Sequence, residues 1–192
     1  NKYLFTFSGR ADGSSRFGAG NKWAFFPSGA LAWRMSDEQF MQNINAVSDL
    51  KLRVSYGITG NTEIPVYQSL ARLNIANYTI NGNLVTGIAP GSIPNPNLKW
   101  ETTAMFNIGL DAGFLDNRIV LTTNYYHNQT EDLLFNVTIP ITSGFGSTFT
   151  NAGSLENSGI ELGIDSDILV GNFKWDVQVN WSMNRNEILD IG

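Results

Sequence analysis

The 192-residue chain contains no cysteine. That removes disulfide scaffolds, thiolate metal sites and cysteine nucleophiles. Its single histidine, His127, excludes a multi-histidine metal centre, and any Ser-His-Asp triad would have to be built on that one residue. Charge is also scarce. Only 15% of residues are charged, against roughly 25% in an ordinary soluble domain. The balance is acidic, 12 Lys and Arg against 17 Asp and Glu, so there is no electrostatic footprint for nucleic acid. No run approaches the ~18 consecutive apolar residues of a spanning helix. No basic-then-apolar leader opens the chain, which suits a mature protein, a fragment or a domain of something larger.

What the chain has is aromatics (12%), 19 Gly, 22 Asn and a hydrophobic period of two. Leu50, Leu52, Val54, Tyr56 and Ile58 alternate with Lys51, Arg53, Ser55, Gly57 and Thr59. A strand points successive side chains to opposite faces, so this segment has one apolar and one wet face. The same holds for Tyr3–Arg10, Trp23–Trp33, Trp100–Phe114, Ile119–Asn128, Ile160–Ile168 and Phe173–Asn184. Seven strands are predicted, several of ten residues or more, against a usual ~5–6.

Connections alternate in length. Asp116-Asn117 and Gly171-Asn172 read as tight hairpin turns. Ser36-Asp37-Glu38-Gln39 reads as a capping box for one short helix over 38–43. The remaining links, about 12–22, 60–98 and 128–153, are long, and Asn81-Gly82 predicts a small hairpin within the longest. In an antiparallel meander, all tight turns then lie at one end and all long loops at the other.

Long alternating strands with such loop asymmetry describe a transmembrane β-barrel. Hydrocarbon tolerates no unpaired backbone, so strands must close into a sheet, with lipid on one face and water on the other. Two aromatic belts are expected: Trp23, Tyr56, Trp100, Tyr125 and Trp181 towards the long loops, and Trp33, Phe114, Phe173 and Trp175 towards the tight turns. The lumen-facing residues are then Lys51, Arg53, Glu101, Asn107, Asn124, Glu161 and Asp176. On this assignment Val54→Arg blocks assembly and Arg53→Leu is mild. A soluble antiparallel sandwich shares the alternation, which leaves a surface carbohydrate-binding or adhesin module as an alternative. Seven strands leave two open edges, whereas bacterial single-chain barrels have an even number, eight or more. The expected fold is therefore all-β, residues 1–192 forming one partial domain of a larger antiparallel transmembrane barrel.

Other candidates carry less. Gly18-Ala19-Gly20 is followed by a strand rather than a helix, so it is a turn, not a phosphate cradle. Asp165, Asp167, Glu161 and Asp176 lack the Gly-turned loop of a calcium site and read as a solvated face. Tyr67, Tyr78, Phe145 and Phe149 are loop aromatics able to stack on sugar or peptide, or on one another.

The residues also carry a resemblance. Asp12-Gly13-Ser14-Ser15-Arg16-Phe17-Gly18, Phe26-Pro27-Ser28, Ala32-Trp33-Arg34, the stretch Leu50–Gly57 with Gly60-Asn61, Asn95-Pro96-Asn97-Leu98-Lys99-Trp100-Glu101-Thr102-Thr103, Asn107–Asp111, Thr130–Leu134 and Asn157–Leu162 occur in order. Together they resemble the SusC/RagA family of TonB-dependent outer-membrane transporters. The resemblance implies a 22-stranded barrel in the outer membrane of a Gram-negative, Bacteroidota-type cell, plugged by an N-terminal domain. It implies import of glycans or peptides, a SusD-like surface lipoprotein as lid, and TonB pulling on the plug. It implies no enzyme, and the residues themselves offer no cofactor or metal site. Neither a plug nor a TonB box is in this chain, so energy coupling is expected to reside elsewhere. A passive porin is the transport alternative.

Overall fold

Strict alternation and many aromatic and β-branched residues favour extended chain. The computed structural model describes residues 1–191, and its regular structure is almost all strand, with three short 3₁₀ turns. In chain order these are β1 (Tyr3–Gly13), β2 (Trp23–Arg34), β3 (Val47–Asn61), β4 (Leu73–Ile80), β5 (Asn83–Pro90), β6 (Glu101–Phe114), β7 (Ile119–Glu131), β8 (Leu134–Thr138), β9 (Ser147–Asn151), β10 (Ser154–Val170) and β11 (Lys174–Asp190). Seven of them form one antiparallel sheet in the order β1-β2-β3-β6-β7-β10-β11, the meander expected from sequence. The β4–β5 hairpin turns at Asn81-Gly82 as expected, both residues at positive φ. A second hairpin, β8–β9, occupies the third long loop and was not expected.

Register makes the two faces explicit. One row across the sheet reads Phe5, Leu31, Val54, Ile108, Tyr125, Ile160, Met183. The adjacent row, one residue along, reads Leu4, Ala32, Arg53, Gly109, Asn124, Glu161, Ser182. The apolar face is uncovered: Phe5 and Phe7 are 79% and 80% exposed. A sheet that buried this face against protein would show the opposite.

The register also drifts. Trp33, one residue from the end of β2, shares a row with Leu52, Leu110, Thr123, Leu162 and Trp181, which lies seven residues in from Lys174. Relative to the tight turns the row climbs by about one residue per strand. With a rise of about 3.3 Å per residue and strands about 4.8 Å apart, that inclines the strands by roughly 35–40° to the turn-to-loop axis, the tilt of a barrel wall. The seven strands do not close on themselves; β1 and β11 are edges.

Two expectations fail locally. The predicted helix over 38–43 is instead two single 3₁₀ turns, Met35–Asp37 and Gln39–Met41, with no side-chain cap. Ser36 Oγ donates to Asp49 Oδ1 (3.0 Å) on β3 instead of capping. Glu38 is drawn to the strand ends, where Oε1 accepts from Tyr3 Oη (2.7 Å) and Trp33 Nε1 (3.2 Å) and Oε2 from Lys2 Nζ (3.3 Å). These bonds, the Tyr3 one foremost, hold its carboxyl below the ordinary glutamate range. The upper aromatic belt is also thinner than expected. Tyr125 and Trp181 lie mid-strand, because β7, β10 and β11 run on past their apolar residues. Trp100 leaves the belt altogether.

Candidate functional site

Trp100 instead anchors a core among the long loops. With Phe17, Phe26, Ile64 and Leu98 it forms the main buried cluster, and Phe149 packs against it half-buried. Its ring lies 5.3 Å from both Phe17 and Phe26, and its Nε1 donates to the Lys22 carbonyl (3.3 Å). Buried aromatic pairs of this kind exceed their area term by about 0.5–1.5 kcal/mol.

The segment Asn95–Trp100 joins all three long loops. Asn21 Nδ2 donates to the Asn97 carbonyl (3.1 Å) and Asn95 Nδ2 to the Phe149 carbonyl (3.0 Å). Asn151 Oδ1 accepts from Lys99 N (2.8 Å), while its Nδ2 donates to the carbonyls of Lys99 (2.8 Å) and Asp132 (2.9 Å). Lys99 Nζ pairs with Asp132 at 2.6 Å. Gly18 is required here, because a Cβ would overlap the Pro96 carbonyl. Three of the sequence motifs therefore meet at one clasp.

Below the clasp the polar face carries an ion-pair ladder. Arg53 holds Asp111 by two bonds, Nε to Oδ2 (2.9 Å) and Nη2 to Oδ1 (2.8 Å). Lys51 Nζ adds a third contact to Asp111 at 3.0 Å. Removing Arg53 strips two of these, so Arg53→Leu carries a cost that the alternation alone does not show. Asn107, Asn124 and Glu161 share this face with Lys51 and Arg53, and Asp176 follows by alternation along β11. Glu101 has the same parity but serves the loops: Oε1 accepts from Asn61 Nδ2 (3.0 Å) and Oε2 from Leu134 N (3.1 Å). Across the sheet, Glu161, Asp165, Asp167 and Asp176 make no ion pair with a described residue.

The four loop aromatics are not brought together. Tyr67 is exposed with φ 63°, Tyr78 is exposed on β4, Phe145 is half-buried just after the 3₁₀ turn Ile141–Ser143, and Phe149 belongs to the clasp. His127 lies on the apolar-face parity with Nδ1 3.5 Å from Glu156 Oε1. Sequence reasoning missed the core among the long loops because Phe17, Ile64 and Leu98 sit in segments without periodicity.

The family model for the TonB dependent receptor-like β-barrel matches residues 1–188. The chain belongs to this family. It is 46% identical over 192 residues to TonB-dependent receptor P26 of Formosa agariphila, covering all of this chain and 19% of that protein. It is 43% identical over 200 residues to TonB-dependent receptor SusC of Bacteroides thetaiotaomicron, covering all of this chain and 20% of that protein. The RagAB peptide importer in its "closed-closed" state superposes with TM-score 0.89 at 36% identity, over 98% of this chain and 21% of that one. In the "open-open" state the TM-score is 0.86 at 37% identity, over 97% and 20%. The chain thus spans about a fifth of the length of these relatives of the TonB-dependent receptor family, and it is all-β wall and loops.

Proposed function

We propose that the full-length protein is an outer-membrane importer of glycans or peptides, driven by TonB through a plug domain and lidded by a SusD-like surface lipoprotein. Residues 1–192 are one part of its barrel wall and carry no catalytic residue, cofactor or metal. The observation that carries this reading is the open, tilted meander with one continuous apolar face, in a chain of the TonB-dependent receptor family. Lipid is the solvent that such a face suits. A soluble binding module would need a protein cover for Phe5, Phe7 and Phe25, all largely exposed. On this reading the polar row through Arg53, Asn124 and Glu161 lines the hydrated interior, and the clasp faces outwards.

The test is uptake by cells expressing the full-length protein, with and without TonB. Import that needs TonB supports the reading. Import unchanged without TonB overturns it in favour of a passive porin.

A further inference from the structure

We infer that the polar face holds, under the clasp, a subsite for the anionic group of an acidic oligosaccharide; this rests on the importer reading and names its substrate class. A cavity of about 860 Å³ opens there, between the loop ends of β1, β2 and β3 and the ring of Trp100. Its floor is flat because Gly57 sits beside Ser28, where a Cβ would come within 2.9 Å of the Ser28 Cβ. Its back wall is firm, since Phe26 and Trp100 belong to the loop core.

Arg10 and Arg16 both line it. Arg16 is fixed by Nη1 donating to the Thr62 carbonyl at 2.6 Å and by the fully buried Phe17 next to it. Arg10 is oriented by Nε donating to Asp12 Oδ1 at 2.8 Å. A guanidinium has five N–H donors in a planar fork. Both Nη atoms of Arg10, and Nε and Nη2 of Arg16, make no hydrogen bond with a described residue. Two cations against the one carboxylate of Asp12 leave the cavity positive. Oriented guanidinium donors that have no protein acceptor match a carboxylate or sulfate.

The remaining polar side chains, Ser8, Ser14, Ser28, Thr59 and Thr62, are hydroxyls, which both donate and accept. That complements a polyol. An acidic peptide offers the same carboxylate, but β2 and β3 are each paired on both sides, so of the lining strands only β1 has an edge to accept an extended backbone, and the hydroxyl-lined floor suits a polyol better.

The experiment is calorimetric binding to the full-length protein in detergent. The probes are an oligogalacturonide, a chondroitin sulfate oligosaccharide, neutral maltoheptaose and an oligoglutamate peptide. At least one anionic oligosaccharide should bind in preference to maltoheptaose and the peptide. Arg10→Gln should weaken it about tenfold, and Arg10→Lys less, since charge remains while the fork is lost. Arg10 is exposed, so both variants should keep the heat-modifiable gel shift of the folded barrel. The inference is overturned if neither anionic oligosaccharide binds, if maltoheptaose or the peptide binds as well, or if Arg10→Gln leaves the affinity unchanged. Uptake of any oligomer that still requires TonB keeps the importer reading in each of those cases.

Discussion

Arg53 on β3 reaches Asn124 on β7 by crossing the intervening strand at Gly109, with Nη2 2.9 Å from Oδ1. The three residues share one row, so the contact skips a strand. It exists because Gly109 has no side chain: a Cβ there would lie 2.6 Å from Asn124 Oδ1 and 2.8 Å from Arg53 Nη2. Gly109→Val should therefore displace Arg53 and loosen its hold on Asp111, at a cost of about 1–3 kcal/mol. Urea unfolding of the full-length protein in lipid vesicles measures it. In an Asn124→Ala background the same substitution should cost less, since one of the two atoms it strikes is gone. Equal costs in both backgrounds would show that the glycine serves some other purpose.

The faces give a sharper contrast. Val54 lies in the row from Phe5 to Met183, and Ser55 in the row beside Asn107. Val54→Arg should destabilise assembly in vesicles by about 2–4 kcal/mol, while Ser55→Arg, on the polar face, should stay near neutral if that face meets water. If the two substitutions cost the same, the faces are assigned wrongly.

Legibility in the sequence followed periodicity. The seven wall strands, their order and the polar face with Lys51, Arg53, Asn124 and Glu161 could be read because a period of two assigns every side chain to a face. The β8–β9 hairpin could not, since Phe135-Asn136-Val137 offers too short an alternation and its turn runs through Pro140 and a 3₁₀ turn instead of Asn-Gly. Trp100 continues the alternation of β6 and so looks like a belt residue; its partners Phe17 and Phe26 come from other loops and strands, and only tertiary structure brings them together. The 38–43 helix failed for a related reason. Ser36 and Glu38 carry the local signal of a cap, but their better partners, Asp49 and Tyr3, lie 13 and 35 residues away. The cavity at Arg10 and Arg16 was invisible because its two cations come from a strand and an aperiodic loop.

The clasp should fail as a unit at Asn151, whose amide makes three hydrogen bonds to two other segments. Asn151→Ala should leave the wall intact and raise proteolytic cleavage in residues 62–100 and 132–153 several-fold, consistent with a local loss of about 1–3 kcal/mol. Asn151→Asp keeps the acceptor for Lys99 N but turns a carboxylate oxygen towards the two carbonyls that Nδ2 had served, so it should be cleaved at least as readily as Ala. Cleavage unchanged in Asn151→Ala would mean that the aromatic core alone holds the loops.

At the opposite end, Glu38 makes the link between β2 and β3 sensitive to acid. Its carboxylate accepts from Tyr3, Trp33 and Lys2, the Tyr3 bond being the main cause of its lowered pKa. A carboxyl with a folded pKa below its unfolded one stabilises fully above the unfolded value and loses that contribution as pH falls through the folded one. The stabilisation should therefore be complete at neutral pH and fade only below the ordinary value of 4.5. Hydrogen exchange at the Arg34 amide, which donates to the Lys2 carbonyl at 2.8 Å, reports on that strand end. After correction for intrinsic rates, its protection should drop below that pH in wild type. Glu38→Gln should be less protected at neutral pH and flat across the acid range. A wild-type profile as flat as that of the Gln variant would mean that the carboxylate does not hold the link.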